Sequence, residues 1–255
     1  MKSLSIKEGA VILDCGCGEG FFSWLVSRVN NCTVHSLDIN YELVSQLNEK
    51  TRSQNIHPLI GDVAHFPYRR ECFDAIILSE VLEHVRNDNE VLKELYASLK
   101  VGGILVITVP NNNYPFFWDP PNKIREKLRL GHFKVNGLFG GIWAHHLRLY
   151  TYHEIIDVVT KSGLNVEYSL TLTHYCLPFN YALIYLSKRT GDVSPFFSKS
   201  IASISTYKSE SISNTALSRL ANFVLSIWRK VDARNVEPYR LENSSVSILV
   251  KAVKK

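Results

Sequence analysis

The chain lacks the features that define several classes of protein. It has only five cysteines among 255 residues, and their spacing is not typical of a zinc cluster or a disulfide framework. No apolar segment approaches the roughly 20 residues that cross a bilayer, and the N-terminus has no hydrophobic region of the kind found in signal peptides. We therefore expect a cytoplasmic protein with reduced thiols and without a membrane span.

Charge is unevenly divided along the chain. The formal net charge is +5, but residues 1–110 hold 10 basic and 14 acidic side chains, whereas residues 111–255 hold 19 and 10. The first part is therefore acidic and the second is basic. A basic second part favours an anionic acceptor, an anionic membrane surface or RNA, or it is simply a solvated face.

The most informative stretch is residues 11–20, which read VILDCGCGEG. The apolar residues 10–13 predict a buried parallel strand, and residues 20–29 predict a helix. The glycines between them permit a tight turn and a close approach of a ligand to the backbone. A strand, a glycine loop and a helix in this order predict a nucleotide site at the carboxyl end of the strand.

The glycine spacing separates two kinds of nucleotide. A dinucleotide fingerprint, Gly-x-Gly-x-x-Gly, would place glycine at position 21, where this chain has Phe21. Here Gly16, Gly18 and Gly20 alternate, and Asp14 precedes them. An acid suits a cofactor with a cationic amino group better than a diphosphate, which disfavours a nicotinamide oxidoreductase. The alternative for Asp14 is a structural role at the end of the strand.

Two further acids end the next predicted strands. Asp38 follows the glycines by about 20 residues, where an acid accepts hydrogen bonds from ribose hydroxyls. Asp62 ends a third strand and can accept from an adenine amino group, while Val63 packs against the ring. Acids at strand ends also cap helices and turns. Three in succession after alternating glycines form a stronger indication of a nucleotide site.

At this point the sequence resembles the class I S-adenosylmethionine-dependent methyltransferases, in particular the small-molecule group that includes quinone-biosynthesis enzymes. The resemblance covers residues 10 to about 170 and the final strand. The matching segments are 13–20, 37–39, 61–63, 73–77, 80–85, 99–105 and 146–151. The resemblance implies S-adenosylmethionine as cofactor. The residues expected to bind it are Asp14, Gly16, Cys17, Gly18, Gly20, Phe21, Asp38, Ile39, Asp62, Val63, Ser79 and Glu80.

The alternation of predicted strands and helices indicates an α/β fold with a doubly wound, mostly parallel sheet. The predicted strands are 10–14, 32–38, 57–61, 73–78, 103–109, 164–172 and 245–253. The predicted helices are 20–29, 41–53, 88–99 and 152–162, the last with a capping box of Thr151 and Glu154. The resemblance implies seven strands of Rossmann-like type, with the last two forming an antiparallel hairpin at the sheet edge.

Two segments interrupt this plan within a single domain, 1–255. Residues 110–146 are rich in aromatic side chains, and residues 173–243 separate two strands that the family often joins by a short turn. Only about nine residues precede the first strand, so we expect both insertions to form a lid and acceptor pocket. Residues 213–231 predict an amphipathic helix with basic residues beside its polar face. It either packs on the core or rests on a membrane surface.

Candidate catalytic residues are His145, His146 and Tyr150, at the end of the first insertion. A general base helps when the methyl acceptor is a hydroxyl. The alternative is that His146 and Arg148 tie the lid to the sheet through hydrogen bonds. Glu80, Glu83 and His84 share one face of a helical turn and offer ligands for a divalent metal, with His145 or His146 as a further ligand. We do not favour a metal, because many relatives carry this pattern with none known.

We expect a small acceptor, apolar or lipid-linked, that is methylated on oxygen or carbon. The segment after the fourth strand is not Asn-Pro-Pro-Tyr, and the chain has no Pro-Cys pair. Nothing in it resembles an RNA-binding domain, so these absences argue against nucleic acid as a partner. The alternatives are an RNA or protein methyltransferase that uses the basic second part, and a catalytically silent protein that binds cofactor within an assembly.

Overall fold

The computed structural model describes residues 6–28, 31–51, 55–133, 140–176, 178, 227, 230–231, 233–235 and 244–255. The strands are β1 (Val11–Cys15), β2 (Thr33–Asp38), β3 (Ile56–Ile60), β4 (Phe73–Ser79), β5 (Leu99–Pro110), β6 (Asn165–Leu172) and β7 (Ser247–Val253). The helices are α1 (Phe21–Ser27), α2 (Tyr41–Thr51), α3 (Asp88–Ser98), α4 (Pro120–Lys127) and α5 (Tyr152–Lys161). None of the helices in these ranges is long and apolar enough to cross a membrane.

The seven strands form one sheet in the order β3-β2-β1-β4-β5-β7-β6. Neighbouring strands from β3 to β5 pair in parallel, and β7 pairs antiparallel with β5. The predicted Rossmann-like fold is thereby confirmed. The chain order reverses between β1 and β4, and ligands of such sheets bind outside the carboxyl ends of the strands at this point.

The chain divides into two compact units. The first comprises Met1–Asn112, Leu147–Leu170 and Ser247–Lys255, and it contains strands β1 to β5 and β7. The second comprises Asn113–His146 and Thr171–Val246, close to the predicted insertions 110–146 and 173–243. The predicted helix 213–231 lies outside the described residues except for positions 227, 230 and 231. A role of the second unit as lid and acceptor pocket stays a prediction.

The core of the first unit lies on both faces of the sheet. Successive residues of β1 alternate between two clusters, because side chains of a strand point to opposite faces in turn. Leu13 packs with Leu78 and Leu95 on one face, and Ile12 packs with Val34 on the other. Burial of both faces explains why these strands are continuous apolar segments in the sequence.

The predicted boundary of β5 was wrong by four residues. The sequence predicts a helix that ends at residue 99 and a strand that begins at residue 103. In the structure β5 begins at Leu99, which pairs with Phe73, while the next pairs join Ala75 to Ile104. The glycine-containing segment is therefore accommodated as an irregularity of the ladder, since a bulge absorbs extra residues in one strand. Helix α5 begins as predicted, with the capping box of Thr151 and Glu154 formed.

Candidate functional site

A cavity of about 1020 Å³ lies in the first unit at the carboxyl ends of the parallel strands. Four successive strand ends contribute to its lining: Gly16 after β1, Asp38 and Ile39 at β2, Asp62 and Val63 after β3, and Glu80 after β4. Six of the residues predicted to bind the cofactor therefore share one cavity. They meet because parallel strands place their carboxyl ends at the same edge of the sheet.

The glycine loop is fixed to the end of β2. The amides of Gly16 and Cys17 donate to the carbonyl of Leu37, at 2.7 and 3.0 Å. Gly16 has φ of 77°, and a Cβ atom there would overlap the side chain of Val81. Glycine is needed at this position both for its backbone angle and for the space. The backbone of the loop at Gly16 therefore lies directly against Val81, which follows β4 and lines the cavity.

Asp38 is held by the backbone on both of its carboxylate oxygens. Oδ2 accepts from the amide of Gly18 at 2.7 Å, and Oδ1 accepts from the amide of Asn40 at 2.9 Å. A carboxylate has about four lone-pair sites, so each oxygen keeps capacity for a further donor. The two backbone bonds fix the orientation of Asp38 before any ligand arrives.

Asp62 lies beside the cavity at the start of a short 3-10 turn, Val63–His65. Its Oδ1 accepts from the amide of Ala64 at 2.9 Å, and its Oδ2 lies 3.5 Å from Nδ1 of His65. The side chain of Asp62 remains 40% exposed, which leaves it accessible to a ligand. The expected capping role and the expected binding role are thus compatible in one residue.

Asp14 is oriented inward and does not line the cavity. Its side chain is buried and accepts a hydrogen bond from the hydroxyl of Ser23, which also contacts the hydroxyl of Ser36 at 2.7 Å. Burial raises the pKa of Asp14 to about 6. These contacts join the end of β1 to α1 and β2, as the structural alternative proposed. A contact of Asp14 with the cofactor stays a prediction.

The other predicted cofactor residues lie outside the lining formed by the described residues. They are Cys17, Gly18, Gly20, Phe21 and Ser79. Cys17 is buried, and burial raises the pKa of its thiol to about 12, so it is protonated at neutral pH. Ser79 shares a hydrogen bond of 2.7 Å with Thr108 on the next strand. Phe21 is 42% exposed at the start of α1.

Sequence reasoning missed several lining residues. Val81, His65 and Phe66 border the cavity, as do Val85 and Arg86 in the loop before α3. Each follows a predicted strand end by a few positions, and that position was the only signal available. Which of these side chains face the ligand depends on the path of the loops, which periodicity does not encode.

The loop between β4 and α3 is held from a distant part of the first unit. Arg148 donates to Asp88 at 2.8 Å and to the carbonyls of Val85 and Arg86 at 3.1 and 2.7 Å. The hydroxyl of Tyr150 donates to the same Asp88 oxygen at 2.8 Å. These bonds fix a segment of the cavity wall. The alternative in which His146 and Arg148 tie the lid to the sheet stays a prediction.

Tyr150 is buried, and both burial and the nearby Asp88 raise its pKa above the ordinary value for tyrosine. A catalytic role for its hydroxyl therefore gains no support from this geometry and stays a prediction. His145 and His146 belong to the second unit, where His145 is exposed and the amide of His146 donates to the carbonyl of Trp143 at 3.2 Å. Their role as bases also stays a prediction.

The acid-rich segment after β4 has one buried carboxyl group. Glu83 is buried, and burial together with the charge of Glu80 raises its pKa to about 9. Nε2 of His84 lies 3.7 Å from Oε1 of Glu83, and both Glu80 and His84 line the cavity. The expectation that no divalent metal binds Glu80, Glu83 and His84 stays a prediction.

Comparison with known proteins identifies the family. A model of the methyltransferase domain matches residues 6–169, which is more than half of the chain. The chain belongs to this methyltransferase-domain family.

Curated relatives resemble part of the chain. A demethylmenaquinone methyltransferase of Lactobacillus johnsonii is 32% identical over 120 residues, covering 44% of this chain and 49% of the relative. A tRNA (carboxymethyluridine(34)-5-O)-methyltransferase of Arabidopsis thaliana is 35% identical over 108 residues, covering 41% of this chain and 25% of the relative. The ubiquinone/menaquinone C-methyltransferase UbiE of Haemophilus ducreyi is 29% identical, covering 58% and 57%. The chain thus spans about half the length or less of most of these relatives.

Solved structures share the fold. Phosphoethanolamine N-methyltransferase 2 of Haemonchus contortus, bound to phosphomonomethylethanolamine and S-adenosylhomocysteine, superposes with a TM-score of 0.58 at 15% identity, covering 99% of this chain and 50% of that one. A Haloferax volcanii methyltransferase in complex with the Trm112 activator superposes with a TM-score of 0.56 at 14% identity, covering 99% and 86%.

Proposed function

We propose that the protein transfers a methyl group from S-adenosylmethionine to oxygen or carbon of a small acceptor that is apolar or lipid-linked. One observation carries the cofactor site: Asp38, Asp62 and the backbone of Gly16 border a single cavity of about 1020 Å³. Pockets for molecules of this size enclose roughly 300–1,000 Å³. The carboxylate acceptors and the volume therefore fit a nucleoside with an amino-acid side arm.

Each lining residue has a separate task in this proposal. The preoriented carboxylate of Asp38 accepts hydrogen bonds from the ribose hydroxyls. Asp62 accepts from the adenine amino group, while Val63 and Phe66 supply apolar contact to the ring. Gly16 lets the ligand approach the bare backbone after β1. Val81 and Val85 close the apolar side of the cavity.

When bound, S-adenosylmethionine supplies an electrophilic methyl group on a sulfonium ion. An electron pair of the acceptor forms the new bond, the carbon–sulfur pair remains on sulfur, and a proton leaves the acceptor. Alignment of the acceptor, the methyl group and the sulfur provides most of the acceleration of methyl transfer. For a hydroxyl acceptor we propose His145 or His146 as the base that takes this proton.

The acceptor class is supported by the relatives and by the composition of the second unit. Several similar proteins are named for demethylmenaquinone or ubiquinone/menaquinone, which are lipid-linked quinones. The segment 114–143 supplies aromatic side chains, including Tyr114, Trp118 and Trp143. Aromatic surfaces suit an apolar acceptor and a reaction that disperses positive charge.

RNA is the second candidate acceptor, and two observations favour it. A plant relative is named for methylation of a tRNA uridine, and residues 111–255 carry a formal charge of about +9. Cationic surfaces bind phosphate backbones without sequence specificity. A silent cofactor-binding protein is the third candidate, and it predicts binding without turnover.

The test uses S-adenosylmethionine labelled in the methyl group, with the purified protein and fractionated cell extract. We expect label in the organic-extractable fraction, with Asp38→Asn as the variant impaired in cofactor binding and Glu49→Gln as the matched surface control. Label in RNA or protein instead would refute the lipid-like acceptor. Cofactor binding by calorimetry without label in any fraction would support the silent protein.

A further inference from the structure

The second unit carries an exposed apolar surface around α4. We define the α4 surface by its five apolar residues, which are between 41% and 63% exposed: Phe116, Phe117, Ile124, Leu128 and Leu130. Single exposed apolar residues are ordinary, but five within 15 positions of the sequence are not. The group includes two phenylalanines and two leucines, which are typical of helices that insert into the membrane interface.

The sequence of α4 fixes which side of the helix is outward. Asp119 caps its N-terminus by accepting from the amide of Asn122, and Pro120 stands in the first turn. The buried side chain of Asn122 donates to the carbonyl of Gly140 at 3.2 Å and accepts from the amide of Phe133 at 2.7 Å. These bonds hold the Asn122 face inward. Ile124 and Leu128, one turn apart, are consequently presented together on the exposed side.

The exposed charge on the α4 surface is of one sign. Lys127 and Arg129 are exposed, and within the described part of the chain neither forms an ion pair. Nζ of Lys127 lies 5.6 Å from the ring centroid of Phe116, so cation and apolar group are adjacent. The nearby basic residues therefore border the apolar group.

The two acids of the same segment are used internally. Asp119 is buried and accepts from the amide of Ile142 at 3.0 Å. Oε1 of Glu126 accepts from the hydroxyl of Tyr114 at 2.9 Å and from the indole of Trp143 at 3.0 Å. Neither carboxylate is directed to neutralise Lys127 or Arg129. The segment thereby removes negative charge from a surface that is both apolar and cationic.

We propose that the α4 surface binds the interface of an anionic lipid membrane. The aromatic and leucine side chains enter the boundary between headgroups and acyl chains, and Lys127 and Arg129 contact lipid phosphates. Charge complementarity favours an anionic membrane over an apolar surface of another protein. Such a protein surface would leave Lys127 and Arg129 without an anionic partner. The binding is independent of the cofactor cavity, so it goes beyond the proposed function, and either can fail without the other.

The test is sedimentation of the full chain with phosphatidylcholine vesicles that contain or lack one quarter phosphatidylglycerol. We expect binding to the anionic vesicles only, weakened by salt. Each cation near such a surface contributes about fivefold to the partition coefficient, so Lys127→Gln with Arg129→Gln should weaken binding about 25-fold. Phe116→Ser with Phe117→Ser should weaken it by tenfold or more.

Matched controls lie in the first unit. Lys93→Gln removes an exposed cation and Val101→Ser removes an exposed apolar residue, and both should bind as the unmodified chain does. Circular dichroism and cofactor binding verify that each variant is folded. The absence of binding to anionic vesicles would overturn the proposal. Equal binding by the Phe116→Ser, Phe117→Ser variant would also overturn it. Release of the protein from the vesicles by added RNA would do the same, because it would show a preference for RNA.

Discussion

Arg148 donates a hydrogen bond of 2.8 Å to Asp88, which lies 60 residues earlier in the chain. The same guanidinium also donates to the carbonyls of Val85 and Arg86, both in the cavity wall. One side chain after the first insertion thereby fixes the loop that follows β4. Part of the wall of the proposed cofactor cavity is therefore held by this contact.

Replacement of Arg148 should affect both properties. Arg148→Met removes the charged donor of the buried Asp88, which keeps the hydroxyl of Tyr150, and it leaves two loop carbonyls without this donor. The loss should lower the free energy of unfolding by about 1–3 kcal/mol. The loosened wall should also weaken binding of S-adenosylmethionine. Urea denaturation and calorimetry measure the two effects.

The matched control is Lys161→Met, which removes an exposed pair with Asp157 on α5. Such surface pairs contribute little, so stability should change by less than about 1 kcal/mol. Equal effects of the two substitutions would show that the Arg148 contacts do not support the loop.

Two glycines of the same loop should respond differently to alanine. Gly16 and Gly18 both have positive φ, but only at Gly16 would a Cβ atom meet a neighbour, the side chain of Val81. Gly18→Ala should cost about 1–2 kcal/mol of backbone strain. Gly16→Ala adds a steric overlap at the cavity wall and should weaken cofactor binding at least tenfold. Calorimetric titration with S-adenosylmethionine distinguishes them, and similar affinities would contradict the assigned packing.

Asp14 should give the protein a measurable pH dependence. Burial raises its pKa from 3.8 to about 6, so the folded chain binds more protons than the unfolded chain between these pH values. The contribution of Asp14 to stability is therefore greatest below pH 4 and falls as the pH rises through about 6.

The side chain in the Asp14→Asn variant does not ionise, so this pH dependence should be absent from the variant. Its free energy of unfolding, measured by urea denaturation, should rise relative to the unmodified chain by about 2 kcal/mol between pH 4 and pH 7. Asp157→Asn, on the exposed face of α5, is the control and should show no comparable trend. A difference between Asp14→Asn and the unmodified chain that does not vary with pH would contradict the burial of a titrating group.

Chelation should leave methyl transfer unchanged. Methyl transfer from a sulfonium ion depends on the alignment of the reacting atoms and needs no Lewis acid. The measurement is the initial rate of label transfer with and without EDTA. A metal at Glu80, Glu83 and His84 would instead be indicated if EDTA lowered the rate and added magnesium restored it. In that case Glu83→Gln should prevent the restoration by magnesium.

The position of the cofactor cavity could be predicted from the sequence because its signals are local. Asp38 and Asp62 each end an apolar segment, and the alternation of strands and helices requires parallel strands whose carboxyl ends share one edge. The same reasoning placed Asp14 in the ligand site. It could not show that the Asp14 carboxylate is directed to Ser23 in the core, because the acid's neighbours come from α1 and β2.

The sequence by itself determined the class of the fold, the strand ends that form the cavity, and the cap of α5, since each depends on residues close together in the chain. Tertiary structure decided the contact of Arg148 with Asp88, the irregular start of β5, and the inward turn of Asp119 and Glu126 beneath the α4 surface. Hydrophobic periodicity specifies which residues are apolar and how they alternate. The direction of a side chain toward a partner 60 residues away is fixed only when the packed elements bring the two together.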